Sequence, residues 1–353
     1  MKSQLRPRVW FNKTFSSIFN VLGLLRSPSS PLVAHLICSH TETDFLGFEN
    51  ADECSVEPKV WDEDLYLEWC LKFARENRVE TFVPGKHVAA VTKHRRLFDE
   101  VGTKVLAAAD ADQLGLLDDK AAFYESARSS GFRVPAFEKV NDLSGFERAR
   151  ERLSRAGLKV CFKPNRSVGG VGFRVIDDSR NDFDNLLAGD ATRISSGFCR
   201  SLLPVEKSFR DLLVMEYLPG PEYSIDCLAQ HGRLLRAVVR RKPHRSGGAQ
   251  LLEYAPELCE IACRLAHKHA LHFAFNIQIR QAGDSAPALL EINPRFSGGI
   301  HLAAFSGLNI PGWGLLLALD SSREHELPVP QTGIRVHQHH RAFPCTKSFA
   351  DLP

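Results

Sequence analysis

At 353 residues the chain is longer than one ordinary domain and predicts two or three packed units. Apolar residues make up 44% and charged residues 25%, the balance of a soluble globular protein. A formal charge of +3 is too small to point to nucleic acid or a membrane surface, and no apolar run reaches the ~20 residues of a spanning helix. The opening stretch MKSQLRPRVWFNKTFSS has basic residues but no continuous apolar segment, so no signal peptide is expected. Nine scattered cysteines with no CxxC pair predict reduced thiols in the cytoplasm instead of a disulfide framework or a zinc site.

Residues 1–115 read as an alternating α/β unit. Apolar strand candidates are Val9–Phe11, Leu32–Cys38 and Thr81–Pro84, with Lys104–Ala107 a weaker one. Between them Asp62–Asn77 carries Leu65, Trp69 and Phe73, with Cys70 and Ala74 beside them, at helical spacing. Strands alternating with helices over short connections predict a small, mostly parallel, doubly wound sheet. The first strand is followed by Asn12-Lys13-Thr14 instead of a glycine-rich turn, which does not favour a dinucleotide there and leaves the role of this unit open.

Asp118-Asp119-Lys120 opens a helix whose acidic first turn suits the helix dipole, and that helix is expected to stop near Gly131. Two strands follow, Leu158–Pro164 and Gly172–Asp177, linked by Asn165-Arg166-Ser167-Val168-Gly169-Gly170-Val171. Glycines let backbone N–H groups approach anionic oxygens with no Cβ in the way, so this loop suits a phosphate flap; plain turn chemistry is the competing reading. Residues 178–210 are polar and predict one helix and a mobile connection. Leu212–Tyr217 reads as a buried strand, broken by Leu218-Pro219-Gly220-Pro221. Glu222–Ala229 and Arg233–Arg241 form a hairpin about Gln230-His231-Gly232, expected to set Asp226 near Arg236 and Glu222 near Arg240. Glu257–His269 has Leu258, Ile261, Ala262, Leu265 and Ala266 at helical spacing.

The most informative chemistry comes next. In Leu271–Arg280 a period of two puts Phe273, Phe275, Ile277 and Ile279 on one face, and Asn276, Gln278 and Arg280 on the other. In LLEINPRFSGG, residues 289–299, Leu290 and Ile292 point one way, while Glu291, Asn293 and Arg295 point the other. A short loop through Ala282-Gly283-Asp284-Ser285-Ala286 folds the two strands together and puts Gln278 nearly opposite Glu291. One carboxylate and two amide oxygens beside a guanidinium are what a magnesium–polyphosphate complex needs, because Mg²⁺ takes few protein oxygens and leaves the rest to phosphate and water.

Together, from Asp118 to Gly312, these pieces resemble the ATP-grasp superfamily, in the style of carbamoyl-phosphate-synthase-like carboxylate–amine ligases. DDK at 118–120, FKPNRSVGGVGFRVI at 162–176, MEYLPGPEYSID at 215–226, FNIQIR and LLEINPRFSGG stand in the family's order. The resemblance implies an α/β and α+β chain: a pre-ATP-grasp α/β domain at 1–115, then a two-subdomain ATP-grasp fold divided at 116–212 and 213–353. It implies ATP with Mg²⁺, or Mn²⁺ in its place. Lys120, Lys163, Gly169 and Gly170 would meet the phosphates, Glu216, Tyr217 and Leu218 the adenine edge, and Glu222 the ribose. Gln278, Glu291 and Asn293 would hold the metal, and Arg295, with Lys163, would act at the transferred phosphoryl group. The implied reaction activates a carboxylate as an acyl phosphate and joins it to an amine, releasing ADP and phosphate.

Arg240, Arg241, Lys242 and His244, with Ser246-Gly247-Gly248, form a basic strand end and loop that borders the acceptor site in the family; a solvated basic edge is the competing reading. Ser297, Gly298 and Gly299 join Arg240, Arg241 and His244 as candidate substrate contacts. The expected partners are a small carboxylate and an amine of amino-acid or peptide-like kind, not nucleic acid or a membrane, and a homodimer stays open. Two other functions stand beside the ligase: a bicarbonate- or carbamoyl-phosphate-type enzyme, disfavoured by the single copy of EINPRFSGG, and a non-catalytic ATP-binding regulator. The set His267, His269 and His272 lacks a completing carboxylate and reads as packing or surface residues, while His337, His339 and His340, along a strand from Gly333 to Phe343 with Cys345 as the nearby cysteine, are not read as a metal site.

Overall fold

The structure is a computed structural model describing residues 6–15, 17–60, 62–167, 169–204, 208–243, 247–283, 286–339, 342 and 344–345. The chain forms two compact units, one of Met1–Gly115, Tyr223–Ile277 and Ile292–Pro353, the other of Leu116–Glu222 and Gln278–Glu291.

In the first unit Arg8–Phe11 pairs in parallel with His35–His40 on one side and Thr81–Val83 on the other, with Glu53–Val56 and Lys104–Val105 at the edges. Such strands are covered on both faces, so they read as unbroken apolar runs. Val9 and Phe11 pack with Leu22, Leu36 and Cys38, while Trp10 stacks on Phe82 at 4.0 Å among Tyr66, Cys70 and Phe73. Helix Glu63–Glu76 starts at Asp62, whose carboxylate accepts from Leu65 N at 3.0 Å. Its buried stripe is Tyr66, Cys70, Phe73 and Ala74, and Leu65 faces out, one position off the expected stripe. Where a glycine-rich turn is absent, the buried Asn12 side chain ties the strand ends together. It accepts from Gly85 N at 2.5 Å and Lys86 N at 3.3 Å and donates to Tyr66 Oη at 2.9 Å.

A six-stranded sheet runs in the order Ala288–Asn293, Phe273–Arg280, Glu222–Gln230, Arg233–Arg241, Gln250–Glu253, Ile334–Val336. Its hairpin pairs Ser224 with Arg240 and Leu228 with Arg236, not Glu222 with Arg240 and Asp226 with Arg236 as expected. The turn is only two residues, His231 and Gly232, at φ of 46° and 83°, and a bulge between Leu228 and Ala229 shifts the register again. The last strand is three residues long, so His337 and His339 lie beyond it, exposed; His340 and Phe343 lie outside the described residues. Helix Ile310–Leu319 is apolar all round and buried; among the described residues no single helix is long and apolar enough to cross a membrane.

The second unit is built on a five-stranded sheet in the order Phe137–Val140, Leu212–Glu216, Val160–Pro164, Arg174–Ile176, Arg193–Ile194. Helix Leu143–Arg155 covers it through Phe146, Ala149 and Leu153, which pack with Phe162 and Val214. The polar stretch 178–210 holds two helices, Asp182–Leu187 and Ser196–Leu202, where one was expected. Each has its own cap: Asn181 accepts from Asp184 N at 2.7 Å and Ser195 from Phe198 N at 3.0 Å.

Candidate functional site

The second unit gathers one cluster of charged side chains. Asp119 caps helix Lys120–Ser129, accepting from Ala122 N at 3.0 Å, which fixes Lys120 in the first turn. The buried Lys120 donates from Nζ to Ser167 O at 2.7 Å and lies 3.9 Å from the Glu291 carboxylate. One turn further along the same face, Tyr124 is fully buried. Its hydroxyl donates to Leu290 O at 2.9 Å and accepts from Lys163 Nζ at 3.1 Å. Two lysines from different elements thus gather about one carboxylate, and the tyrosine holds one of them. Burial lowers the pKa of both lysines and Glu291 opposes that shift in each, while Lys163 pulls Lys120 down further. Tyr124 was not among the expected site residues; its i, i+4 spacing from Lys120 is the signal that could have found it.

The loop after Lys163 is anchored to the same helix start. Asn165 Oδ1 accepts from Ala121 N at 2.8 Å, and its amide donates to Asp119 at 3.0 Å. Beyond it Gly169 and Gly170 sit at φ of 62° and 76° with open space where a Cβ would be, so backbone conformation, not crowding, calls for glycine there. Across the sheet, Glu216 N donates to Ala136 O at 2.8 Å and Tyr217 N to Lys159 O at 2.7 Å. The Glu216 carboxylate accepts from Ala136 N at 3.2 Å and lies 3.8 Å from Arg133. Lys159 and Arg280 flank the Tyr217 ring at 5.6 and 5.5 Å, Leu218 is buried, and Arg280 lies 3.6 Å from Glu222. Gln278 shares the face of Arg280 by strand period. Cys161, two residues before Lys163, is a packing residue whose thiol burial pushes up to about 12.

Glu291 and Asn293 share a face of strand Ala288–Asn293. In the first unit Asn293 Oδ1 accepts from Arg295 Nη2 at 3.3 Å, and Arg295 Nη1 donates to Phe296 O at 3.1 Å. The Arg295 guanidinium lies 5.2 Å over the Phe15 ring. Behind this segment Arg240 is 2% exposed. It donates to Asp226 at 2.7 Å, Gln250 Oε1 at 2.6 Å, and the hydroxyls of Ser224 and Ser297 at 2.9 Å each. Asn276 joins the network, donating to Asp226 Oδ1 at 3.0 Å and Ser224 Oγ at 2.9 Å. Gly299 presses on the guanidinium: a Cβ there would stand 2.5 Å from Nη1, whereas Gly298 has nothing within 4 Å.

Arg241 points the other way and pairs with Glu253 at 3.0 Å on a partly exposed face. Arg240 and Arg241 are therefore not one cationic patch, and His244 and Ser246 lie outside the described residues. His269 is buried with Nδ1 2.8 Å from Gln113 Oε1, His272 stacks on His231 at 4.5 Å, and His267 is exposed. Among the described residues no group of three or more His, Cys, Asp or Glu is placed to hold a metal ion.

A family described as "ATP-grasp in the biosynthetic pathway with Ter operon" matches residues 208–342. Carnosine synthase 1 of Homo sapiens is 28% identical over 196 residues, covering 49% of this chain; the chain spans only 21% of that relative's length. The L-amino acid ligase of Bacillus licheniformis superposes with a TM-score of 0.62 at 14% identity, covering 93% of this chain and 78% of that one. The biotin carboxylase domain of Hydrogenobacter thermophilus 2-oxoglutarate carboxylase, solved with MgADP, ADP and bicarbonate, gives 0.60 at 17% identity, covering 90% and 70%. The family match thus covers residues 208–342, and over most of its length the chain shares the fold of these ligase and carboxylase structures.

Proposed function

We propose that the chain is an ATP-dependent ligase that activates a carboxylate as an acyl phosphate and condenses it with an amine. The observation that carries this reading is the gathering of Lys120 and Lys163 about the Glu291 carboxylate within one compact unit, with Tyr124 holding Lys163. Buried cations set beside a carboxylate suit a polyphosphate whose charge they neutralise and a metal that the carboxylate holds.

Lys120 and Lys163 contact the phosphates as point charges, under the Gly169-Gly170 loop. Because the Tyr217 N–H is already spent on Lys159, the adenine edge falls to the Glu216 carbonyl and the Leu218 N–H, and Glu222 takes the ribose hydroxyls. Glu291, Asn293 and Gln278 offer one carboxylate and two amide oxygens, a hard donor set that fits Mg²⁺ or Mn²⁺. Such an ion, when bound, neutralises charge on the phosphate oxygens. Arg295 stabilises the phosphoryl group in flight with its planar fork. A carboxylate oxygen attacks the γ-phosphorus and ADP leaves. The amine nitrogen then attacks the acyl carbon, phosphate leaves, and the amine gives up a proton.

Ser297, Gly298 and Gly299 border the acceptor, with Arg240 as a positioning residue behind them. In this reading 1–115 is the pre-ATP-grasp domain, 116–212 the nucleotide-covering part and 213–353 the metal-binding part. The names of two relatives point to amino acids as substrates. The test is ADP release with Mg²⁺ and pools of amino acids and small carboxylic acids. ADP formed only with a particular pair, with a product lighter by one water than their sum, is expected. ATP binding without turnover over broad pools would overturn the ligase in favour of a regulator.

A further inference from the structure

A cavity of about 450 Å³ opens within the first unit, lined by Arg95, Lys104, Asp110, Gln230, His231 and His272 among others. It lies at the turn end of the Glu222–Gln230 and Arg233–Arg241 hairpin. Gln230 stands six residues from Ser224 on the same strand, about 20 Å at ~3.3 Å per residue, so the cavity is well away from the Arg240 network.

Its charge is one-sided. Among the described residues neither Arg95 nor Lys104 forms an ion pair. Arg95 Nε donates to Thr92 O at 3.2 Å and Lys104 Nζ to Ala318 O at 2.6 Å, which leaves further N–H groups on both. Asp110 is the acid of the lining, and one of its oxygens caps a helix through Gln113 N at 2.8 Å. His272 Nδ1 accepts from His231 N at 3.3 Å, so the neutral ring carries its proton on Nε2 and presents a donor. Burial first, then the neighbouring His231, Lys104 and Arg95, hold the His272 pKa down at about 4.

The backbone is strained at the same place. His231, Ala270 and Phe273 have φ of 46°, 46° and 58°, in the left-handed region that non-glycine residues avoid. His231 and Ala270 line the cavity, and the His231 ring stacks there on His272. Each such conformation costs on the order of 1 kcal/mol and persists where the surroundings require it, which is most often at a functional site.

We propose that this cavity is a second ligand site, for a small metabolite carrying a doubly charged oxyanion, received by Arg95, Lys104 and the His231–His272 pair. The experiment follows the histidine ring resonances of the full chain in titrations with inorganic phosphate and, separately, succinate. The His272 signal is the one that disappears in His272→Gln. Saturable binding of either anion is expected, raising the His272 pKa by about one unit or more. The tighter of the two probes shows whether the ligand is a phosphate or a carboxylate. The response should persist in Lys120→Met, which separates it from phosphate at the nucleotide site, and weaken at least tenfold in an Arg95→Met, Lys104→Met variant. No saturable response to either anion, or an unchanged response in the double variant, would overturn the proposal.

Discussion

Gly299 and Gly298 are adjacent and equally small, yet their replacement by alanine should have opposite outcomes. A methyl carbon on Gly299 would sit 2.5 Å from Arg240 Nη1, 2.9 Å from Cζ and 3.0 Å from Nη2. Ordinary contact needs about 3.5–4.0 Å, so something must withdraw by about 1 Å. A free arginine tip would swing away at small cost. This one is pinned by Asp226, Gln250, Ser224 and Ser297, in a pocket where it is 2% exposed. Overpacking costs about 1–3 kcal/mol, and loss of one charge-assisted hydrogen bond about 1.5–3 kcal/mol, so about 2.5–6 kcal/mol is expected in all. At Gly298 nothing stands within 4 Å and φ is not positive, so alanine there should stay within about 0.5 kcal/mol of wild type. The assay is urea unfolding followed by tryptophan fluorescence. The described tryptophans, Trp10, Trp69 and Trp313, belong to the first unit, so the signal reports the unit that carries the change. A Gly299→Ala midpoint equal to wild type, or equal losses for the two alanines, would refute the claim that the Arg240 guanidinium is fixed.

Glu291→Ala and Lys163→Met should each lower ADP release about a hundredfold or more while hydrogen exchange of the second unit is unchanged, and a chelator should abolish turnover; near-normal rates would remove the phosphate–metal assignment. Tyr124→Phe removes the hydroxyl bridging Lys163 and Leu290 O, leaving a buried carbonyl short of a partner, and should cost about 1–3 kcal/mol by hydrogen exchange of the second unit. His269 is 2% exposed, and burial lowers its pKa from 6.5 to about 4. A depressed folded pKa means that the unfolded chain binds the proton first, so the stability is present above pH 6.5 and is lost as pH falls towards 4, by about 3 kcal/mol at most. Unfolding midpoints measured across that window should flatten in His269→Gln, and a parallel decline in the variant would refute the assignment. Arg240→Met should cost about 3–5 kcal/mol by stranding Asp226, and Asp226→Leu added to it should recover most of that loss in a double-mutant cycle; simple additivity would show that the pair does not act as a unit.

What could be read in advance was whatever depends on neighbours in the chain. The helices at 62–77 and from Lys120 were legible because helical spacing and an acidic start belong to a few consecutive residues. The acids at 118–119 nevertheless precede the second helix, with Asp119 as its cap, and do not fall in its first turn as expected. The faces of Phe273–Arg280 and Ala288–Asn293 follow from a period of two. Tyr124 was not singled out, since its role exists only once Val160–Pro164 brings Lys163 to its hydroxyl. The two helices of 178–210 were hidden because their few apolar residues, Phe183, Leu186, Leu187 and Phe198, are exposed and so trace no buried stripe. The hairpin register escaped because it is set by a two-residue turn and a bulge, and one unpaired residue displaces every later pair.

Arg240 is the instructive case, because the rule that places it was already in use elsewhere on the chain. Alternation was applied to Glu291, Asn293 and Arg295 but not to Arg240 and Arg241, which were taken as one exposed cluster. On a strand whose neighbours Ala237, Val238 and Val239 are apolar, two consecutive arginines cannot both face water, so one guanidinium must turn towards the sheet's packed face. A buried guanidinium is too costly to leave unpaired and requires a carboxylate with further acceptors. The facing strand, Glu222–Gln230, offers two acids, and Glu222 stands at its very start, where a strand end is wet. Asp226 is the remaining choice under any register within two residues of the expected one. The pair therefore follows from composition and period alone, and the structure adds what they cannot: Asn276, Gln250 and Ser297 arrive from three other segments to complete the pocket, and Gly299 closes it.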